Sequence, residues 1–163
     1  MEKWEKDILA ILSSDARTTA KEIAVMLGIE EADATKKIKS LEDRGIIVGY
    51  TAIVNTDTVE DDTVEALIEV KVTPQRRHGF DKIADEVAAL PEVQNLYLMS
   101  GAYDLAVIVK GKSLKSVSRF VSERISTYDG VIATATHFIL KRYKVEGVIT
   151  KPEQESVRLS VQP

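Results

Sequence analysis

Between residues 66 and 143 the hydrophobic pattern runs through six segments whose period is two, then helical, then two, two, helical and two. Ala66, Ile68, Val70 and Val72 alternate with Glu65, Glu69 and Lys71, which makes a strand with one polar face. Pro74 ends it. Phe80, Ile83, Ala84, Val87 and Leu90 mark an amphipathic helix stopped by Pro91. Residues 93–99 read as a strand, Ser100-Gly101-Ala102-Tyr103 as a turn, and 104–109 as the returning strand. Ser113 caps a helix carrying Leu114, Val117, Phe120, Val121 and Ile125; Gly130 breaks it, and 131–143 form a long β-rich run. The order β-α-β-β-α-β is the split βαβ, or ferredoxin-like, arrangement. Its helices cover one face of the sheet. The other face is partly apolar and must bury itself elsewhere, most simply against a second copy of the chain.

The residues before this region follow a different rule. Trp4, Ile8, Ile11 and Leu12 recur at helical spacing. Thr19-Ala20-Lys21-Glu22 has the spacing of a capping box, in which hydroxyl and carboxylate each satisfy an amide of the other's residue. A second helix then runs from Ala20 to about Leu27 and stops at Gly28, which adopts a left-handed conformation cheaply. A third runs from Glu31 to about Arg44 with Ala34, Ile38 and Leu41 on one face. Ile46, Ile47, Val48, Tyr50, Ala52 and Ile53, broken by Gly49, suggest a small β-ribbon. Two helices joined by Gly28-Ile29-Glu30 have the turn that a helix-turn-helix needs, and Ala24, four residues before Gly28, lets them cross closely.

The polar, acidic stretch 55–62 separates the two patterns. The expected organisation is therefore α+β: a winged helix-turn-helix over 1–54, a hinge over 55–63, a βαββαβ domain over 64–145, and a tail over 146–163. In the tail, Val157-Arg158-Leu159-Ser160-Val161 alternates like an edge strand. The composition is that of an ordinary folded chain, 44% hydrophobic and 29% charged over 163 residues. With no cysteine there is no disulfide, thiol nucleophile or Cys-ligated metal. No apolar run approaches the length of a membrane span, and residues 1–6 lack the apolar stretch of a signal peptide, so a cytoplasmic protein without a membrane partner is expected.

In a helix-turn-helix the second helix enters the major groove of DNA. Lys36, Lys37 and Lys39 lie away from the Ile38/Leu41 face and, with Thr35 and Arg44, are the candidate DNA-binding residues. Lysine attracts phosphate as a point charge and reads bases less well than arginine. Three lysines also describe a solvated face on a packing module. Charge counts against DNA: the chain carries −4 overall, and residues 1–62 hold eight Lys+Arg against 14 Asp+Glu, four of those acids in the hinge. Glu30, Glu31 and Asp33 suit the helix dipole but repel phosphate.

The runs Asp7-Ile8-Leu9, Asp15-Ala16-Arg17, Glu22-Ile23-Ala24, Leu27-Gly28-Ile29, Ile38-Lys39-Ser40-Leu41-Glu42 and Gly45-Ile46-Ile47-Val48-Gly49-Tyr50 resemble the N-terminal domain of the Lrp/AsnC, or feast/famine, transcription regulators. Ser100-Gly101-Ala102-Tyr103-Asp104-Leu105, within the β-α-β-β-α-β order, resembles that family's ligand-sensing domain, so the likeness spans about residues 4–145. It implies a DNA-binding regulator that dimerises through the sensing domain, often assembles into tetramers or octamers, and binds effectors, usually amino acids, between subunits. The family commonly has Ser where Glu30 stands here, and arginines where Lys36 and Lys37 stand.

An α-amino acid needs an acceptor for its ammonium and donors for its carboxylate. Asp104, Tyr103 and the amides of the Ser100–Gly101 loop offer both. Chemistry alone favours a tight hairpin whose Asp satisfies its own turn; the resemblance shifts the reading to the effector. Thr134 and Thr136, with His137 beside them, are the further candidate effector residues. The two histidines, His78 and His137, lie in different elements without ligand spacing, so no metal and no cofactor beyond an amino-acid effector is expected. No nucleophile or phosphate-loop motif is present, so no enzymatic activity is expected. Two alternatives accompany the regulator: a sensor or assembly module that binds DNA poorly, and a tetrapyrrole-processing enzyme of the same architecture.

Overall fold

The computed structural model describes residues 3–59, 62–74 and 79–150. The chain divides after Ile53 into two compact units. The first holds α1 (Lys3–Ser14), α2 (Ala20–Leu27) and α3 (Glu31–Asp43). Its core is Ile8 and Leu12 from α1, Ile23 and Ala24 from α2, and Ala34 and Leu41 from α3. Full burial of an Ile or Leu side chain contributes about 1.5–3 kcal/mol. Four such residues therefore hold three short helices that would be marginal alone.

The ribbon expected over 46–53 does not form; no strand is present there among the described residues. Gly45, at φ 65°, turns the chain, and the amides of Ile46 and Ile47 both donate to the Leu41 carbonyl, at 2.9 and 3.1 Å. These bonds fold the start of the segment onto the end of α3. Only Ile47 packs on the core, while Val48 is 94% exposed, so nothing rewards a strand alternation.

The second unit contains β1 (Val64–Val72), α4 (Asp81–Ala88), β2 (Val93–Leu98), β3 (Leu105–Gly111), α5 (Leu114–Glu123) and β4 (Val131–Phe138), with short 3-10 turns at Thr56–Thr58 and Ile125–Thr127. The order of elements is the expected one. The four strands form an antiparallel sheet in the order β2-β3-β1-β4. Val70 pairs with Leu105 on one side and Thr134 on the other; Ile68 pairs with Val107 and Thr136. Cross-strand partners share a face, so Ala66, Ile68, Val70, Leu105, Val107 and Val109 line the helix side. There they meet Ile83 and Val87 of α4 and Val117, Phe120 and Val121 of α5. Ser113 caps α5 through a reciprocal pair with Ser116. The opposite face carries Leu67, Glu69, Ile108, Tyr97, Ala135 and His137, with Glu69 and His137 3.5 Å apart.

The strand expected over 131–143 ends at Phe138. Leu140 is 95% exposed, and the chain then forms a hairpin, β5 (Lys144–Val145) with β6 (Val148–Ile149). Glu146 and Gly147 take its two positive-φ turn positions, 45° and 83°. Arg142 ties this segment back to the sheet by an ion pair with Glu65. The tail strand expected over 157–161 lies outside the described residues, as does His78. No helix among the described residues is long and apolar enough to cross a membrane.

Candidate nucleic-acid interface and ligand loop

The α2–α3 pair is built as its residues direct. Thr19 accepts from the Glu22 amide, and Glu22 Oε2 receives both the amide and the hydroxyl of Thr19 at 2.7 Å. These bonds, the backbone one foremost, hold the Glu22 carboxyl below its ordinary pKa. Gly28, at φ 64°, ends α2, and the amides of Gly28 and Ile29 both reach the Ala24 carbonyl. α3 starts at Glu30 without a side-chain cap. A Ser or Asn there would supply the bond that Glu30 does not make.

Along α3 the candidate residues divide. Thr35, Lys36 and Lys39 are exposed and, with Ala32, occupy positions i, i+3, i+4 and i+7 of one ridge. That ridge lies about 140° round the helix from Ala34, Ile38 and Leu41. The other two candidates turn toward α1. The Lys37 ammonium sits over the Trp4 ring, 5.6 Å from its centroid. The Arg44 guanidinium contacts Glu5 Oε1 at 2.5 Å, where the Glu5 side chain is 10% exposed and that of Arg44 46%. Sequence reasoning missed Glu5, whose signal is an acid beside the Trp4–Ile8 stripe. It also missed Ala32, whose signal is its spacing to Thr35 and Lys36.

Beyond α3, Tyr50 donates its hydroxyl to Glu42 Oε1 at 2.8 Å. Desolvation, with that bond and the charge of Glu42, raises the Tyr50 pKa above its ordinary value.

In the second unit, residues 100–103 form a loop closed by the Met99 amide on the Asp104 carbonyl at 2.8 Å. Asp104 is fixed on both sides: its amide donates to Val70 O, and its Oδ2 accepts from the Val72 amide at 2.8 Å. That bond falls where the β1–β4 register shifts, between Lys71 and Val72. Lys71, absent from the sequence-based candidates, reaches the loop and donates to Ala102 O at 3.0 Å. Ser100 and Gly101 are exposed, and Tyr103 is half-buried.

Thr134 and Thr136 do not join this loop within one chain. β1 lies between β3 and β4, so they stand two strand spacings away, about 10 Å. Both share the helix side with Val70 and Ile68, and Thr134 Oγ1 lies 3.5 Å from Ser126 Oγ. His137 is on the opposite face, beside Glu69. Cavities elsewhere among the described residues include one of about 320 Å³ beside Lys82 and Tyr128 and one of about 290 Å³ beside Glu92 and Phe120. Neither is lined by the loop. No cluster of three or more His, Asp or Glu suited to a metal occurs among the described residues.

Comparison with known proteins agrees with both halves. Residues 1–48 match the winged helix-turn-helix DNA-binding family, and residues 65–149 the Lrp/AsnC ligand binding domain. The chain is 41% identical over 160 residues to the HTH-type transcriptional regulator YugG of Bacillus subtilis, covering 98% of this chain and 96% of that protein. It is 33% identical over 144 residues to the HTH-type transcriptional regulator LrpA of Pyrococcus abyssi, covering 88% and 99%. Among solved structures, Escherichia coli AsnC superposes with a TM-score of 0.66 at 20% identity, covering 93% of this chain and 99% of that one. A Neisseria meningitidis transcriptional regulator in complex with L-Met superposes at 0.68 and 24% identity, covering 89% and 93%. YugG, LrpA and the Neisseria protein are named as transcriptional regulators, and neither the assembly-module nor the tetrapyrrole alternative is favoured. Helix-turn-helix, four-stranded sheet and full-length relatives together place the chain in the Lrp/AsnC family of DNA-binding transcription regulators.

Proposed function

We propose that this regulator works in the cytoplasm as a homo-oligomer, reads DNA with α3, and responds to an amino acid or a related small zwitterion held at the 100–104 loop. The observation that carries the DNA half is the exposed ridge of Ala32, Thr35, Lys36 and Lys39 on the second helix of a well-capped pair. The acids that weigh against phosphate stand off this ridge: Glu31 and Asp33 lie about 90–110° round the helix from it.

The ligand half rests on three groups. Lys71 brings a cation to the loop, Asp104 keeps its second carboxylate oxygen for an ammonium, and loop amides serve a carboxylate. The ferredoxin-like sheet with a partly apolar open face calls for a second copy, and a loop exposed at Ser100 and Gly101 is completed by that copy's surface. Among the described residues an added Cβ at Gly101 meets nothing within 4 Å, which leaves room there for a partner's surface. The L-Met bound by the Neisseria relative favours this ligand class. An effector that binds one assembly better than another shifts DNA binding by that difference alone.

A melting-temperature screen of the full chain against the twenty amino acids tests the ligand half, since a ligand of the native state raises stability. The expected result is stabilisation by one or a few amino acids, with altered DNA affinity in their presence. No shift with any of them, and a monomer in sedimentation at micromolar concentration, would overturn it.

A further inference from the structure

We infer that Ala32 and Thr35 select DNA by packing against thymine methyl groups in the major groove. This inference rests on the reading that α3 is the DNA-contacting helix. In a helix-turn-helix the N-terminal residues of the second helix meet base edges, while later residues lie nearer the backbone. On the exposed ridge the N-terminal pair is Ala32 and Thr35, and the later pair Lys36 and Lys39. The base-facing end thus carries methyl groups, and the charge follows behind it.

The hydroxyl of Thr35 sharpens the assignment. Its Oγ1 donates to the Glu31 carbonyl at 2.9 Å, so its proton is committed to the helix. Thr35 then offers DNA a methyl group and an acceptor oxygen, but no donor to guanine O6 or N7. Ala32 offers a methyl group alone. The thymine C5-methyl is the one apolar feature of the major-groove code, and Ala and Thr methyls are its usual partners. No Arg, Asn or Gln occurs in α3, so it has no bidentate reader of adenine and only lysine to reach guanine. Lys36 and Lys39 supply affinity through phosphate, which is indifferent to sequence.

The test uses the full-length protein and the duplexes it enriches from a randomised pool, resynthesised with uracil in place of thymine at one position at a time. Uracil keeps every hydrogen-bonding group and removes only the methyl. At one or two positions per half-site, affinity should fall about fourfold per methyl, the factor expected for about 0.8 kcal/mol of apolar burial. Thr35→Ser and Ala32→Gly should each erase the discrimination at one of those positions. Thr35→Val should keep it, because the hydroxyl faces its own helix. Both sites are exposed, and melting temperatures confirm that the variants are folded. Equal binding of thymine and uracil duplexes by the parent overturns the inference while leaving α3 as the DNA helix. So does discrimination that survives both methyl-removing variants. Failure to enrich or bind any duplex overturns the DNA-binding reading itself.

Discussion

Replacing Arg44 by Ala separates a structural role from a DNA contact. Arg44 holds the Glu5 carboxylate, which belongs to a residue only 8% exposed inside the helical unit. Removing the guanidinium takes one charged partner from that carboxylate in a largely dry site. A fully buried pair broken on one side costs about 3–5 kcal/mol, whereas a surface pair contributes about 0–1 kcal/mol. Arg44 is 46% exposed at its side chain, so screening places this pair between the limits, at about 2 kcal/mol. For a unit of this size that lowers Tm by about 10 °C. Trp4 is the only tryptophan and sits in α1, so its fluorescence follows this unit. Glu5→Leu should be milder than Arg44→Ala, since the freed guanidinium is hydrated and the leucine joins the core side of α1. Below the new Tm, DNA affinity should change by less than twofold. An unchanged Trp4 melting curve together with a weaker salt dependence of DNA binding would refute the reasoning and make Arg44 a phosphate ligand.

Glu22, whose pKa is lowered by the Thr19 bonds, stabilises the fold above the ordinary carboxylate pKa and loses that contribution as pH falls through its folded value. A pH series of Tm should show this loss in the parent and not in Glu22→Gln. Glu30→Ser supplies the missing cap of α3 and should stabilise the helical unit by about 0.5–2 kcal/mol, read from the same Trp4 curve. Asp104→Ala leaves the Val72 amide without its partner and should cost about 1 kcal/mol. It should also abolish any melting shift produced by an amino acid, whereas a purely turn-closing Asp104 would leave that shift intact.

Both sets of helices and the β-α-β-β-α-β order of elements are legible because each rests on a local signal. Thr19 and Glu22 stand three residues apart, Gly28 follows Ala24 by four, and the alternation from Ala66 to Val72 has an unambiguous period. The ribbon over 46–53 misled because its residues have strand propensity, yet the capping of Leu41 O by Ile46 and Ile47 was the stronger local bond. The β5–β6 hairpin escaped notice because two-residue strands carry too little pattern. At the sites, contacts between α1 and α3 were invisible: nothing local pairs Glu5 with Arg44 or Trp4 with Lys37. Thr134 and Thr136 are expected near Asp104 at a site between subunits; within one chain the sheet order sets β1 between them. The same order brings Lys71 to the loop, a neighbour that only topology reveals.

The proposed DNA binding rests on phosphate neutralisation by the ridge on α3. The most direct measurement is the salt dependence of DNA affinity, by fluorescence anisotropy, for the parent and for Lys36→Gln with Lys39→Gln. The parent should lose affinity steeply, log K falling with log salt by about 0.9 per phosphate contact. The double variant should bind all duplexes more weakly and with a slope smaller by about one per lysine removed on each bound helix. A salt slope that the two substitutions leave unchanged would contradict the account, because the charge that meets DNA would then lie elsewhere on the chain.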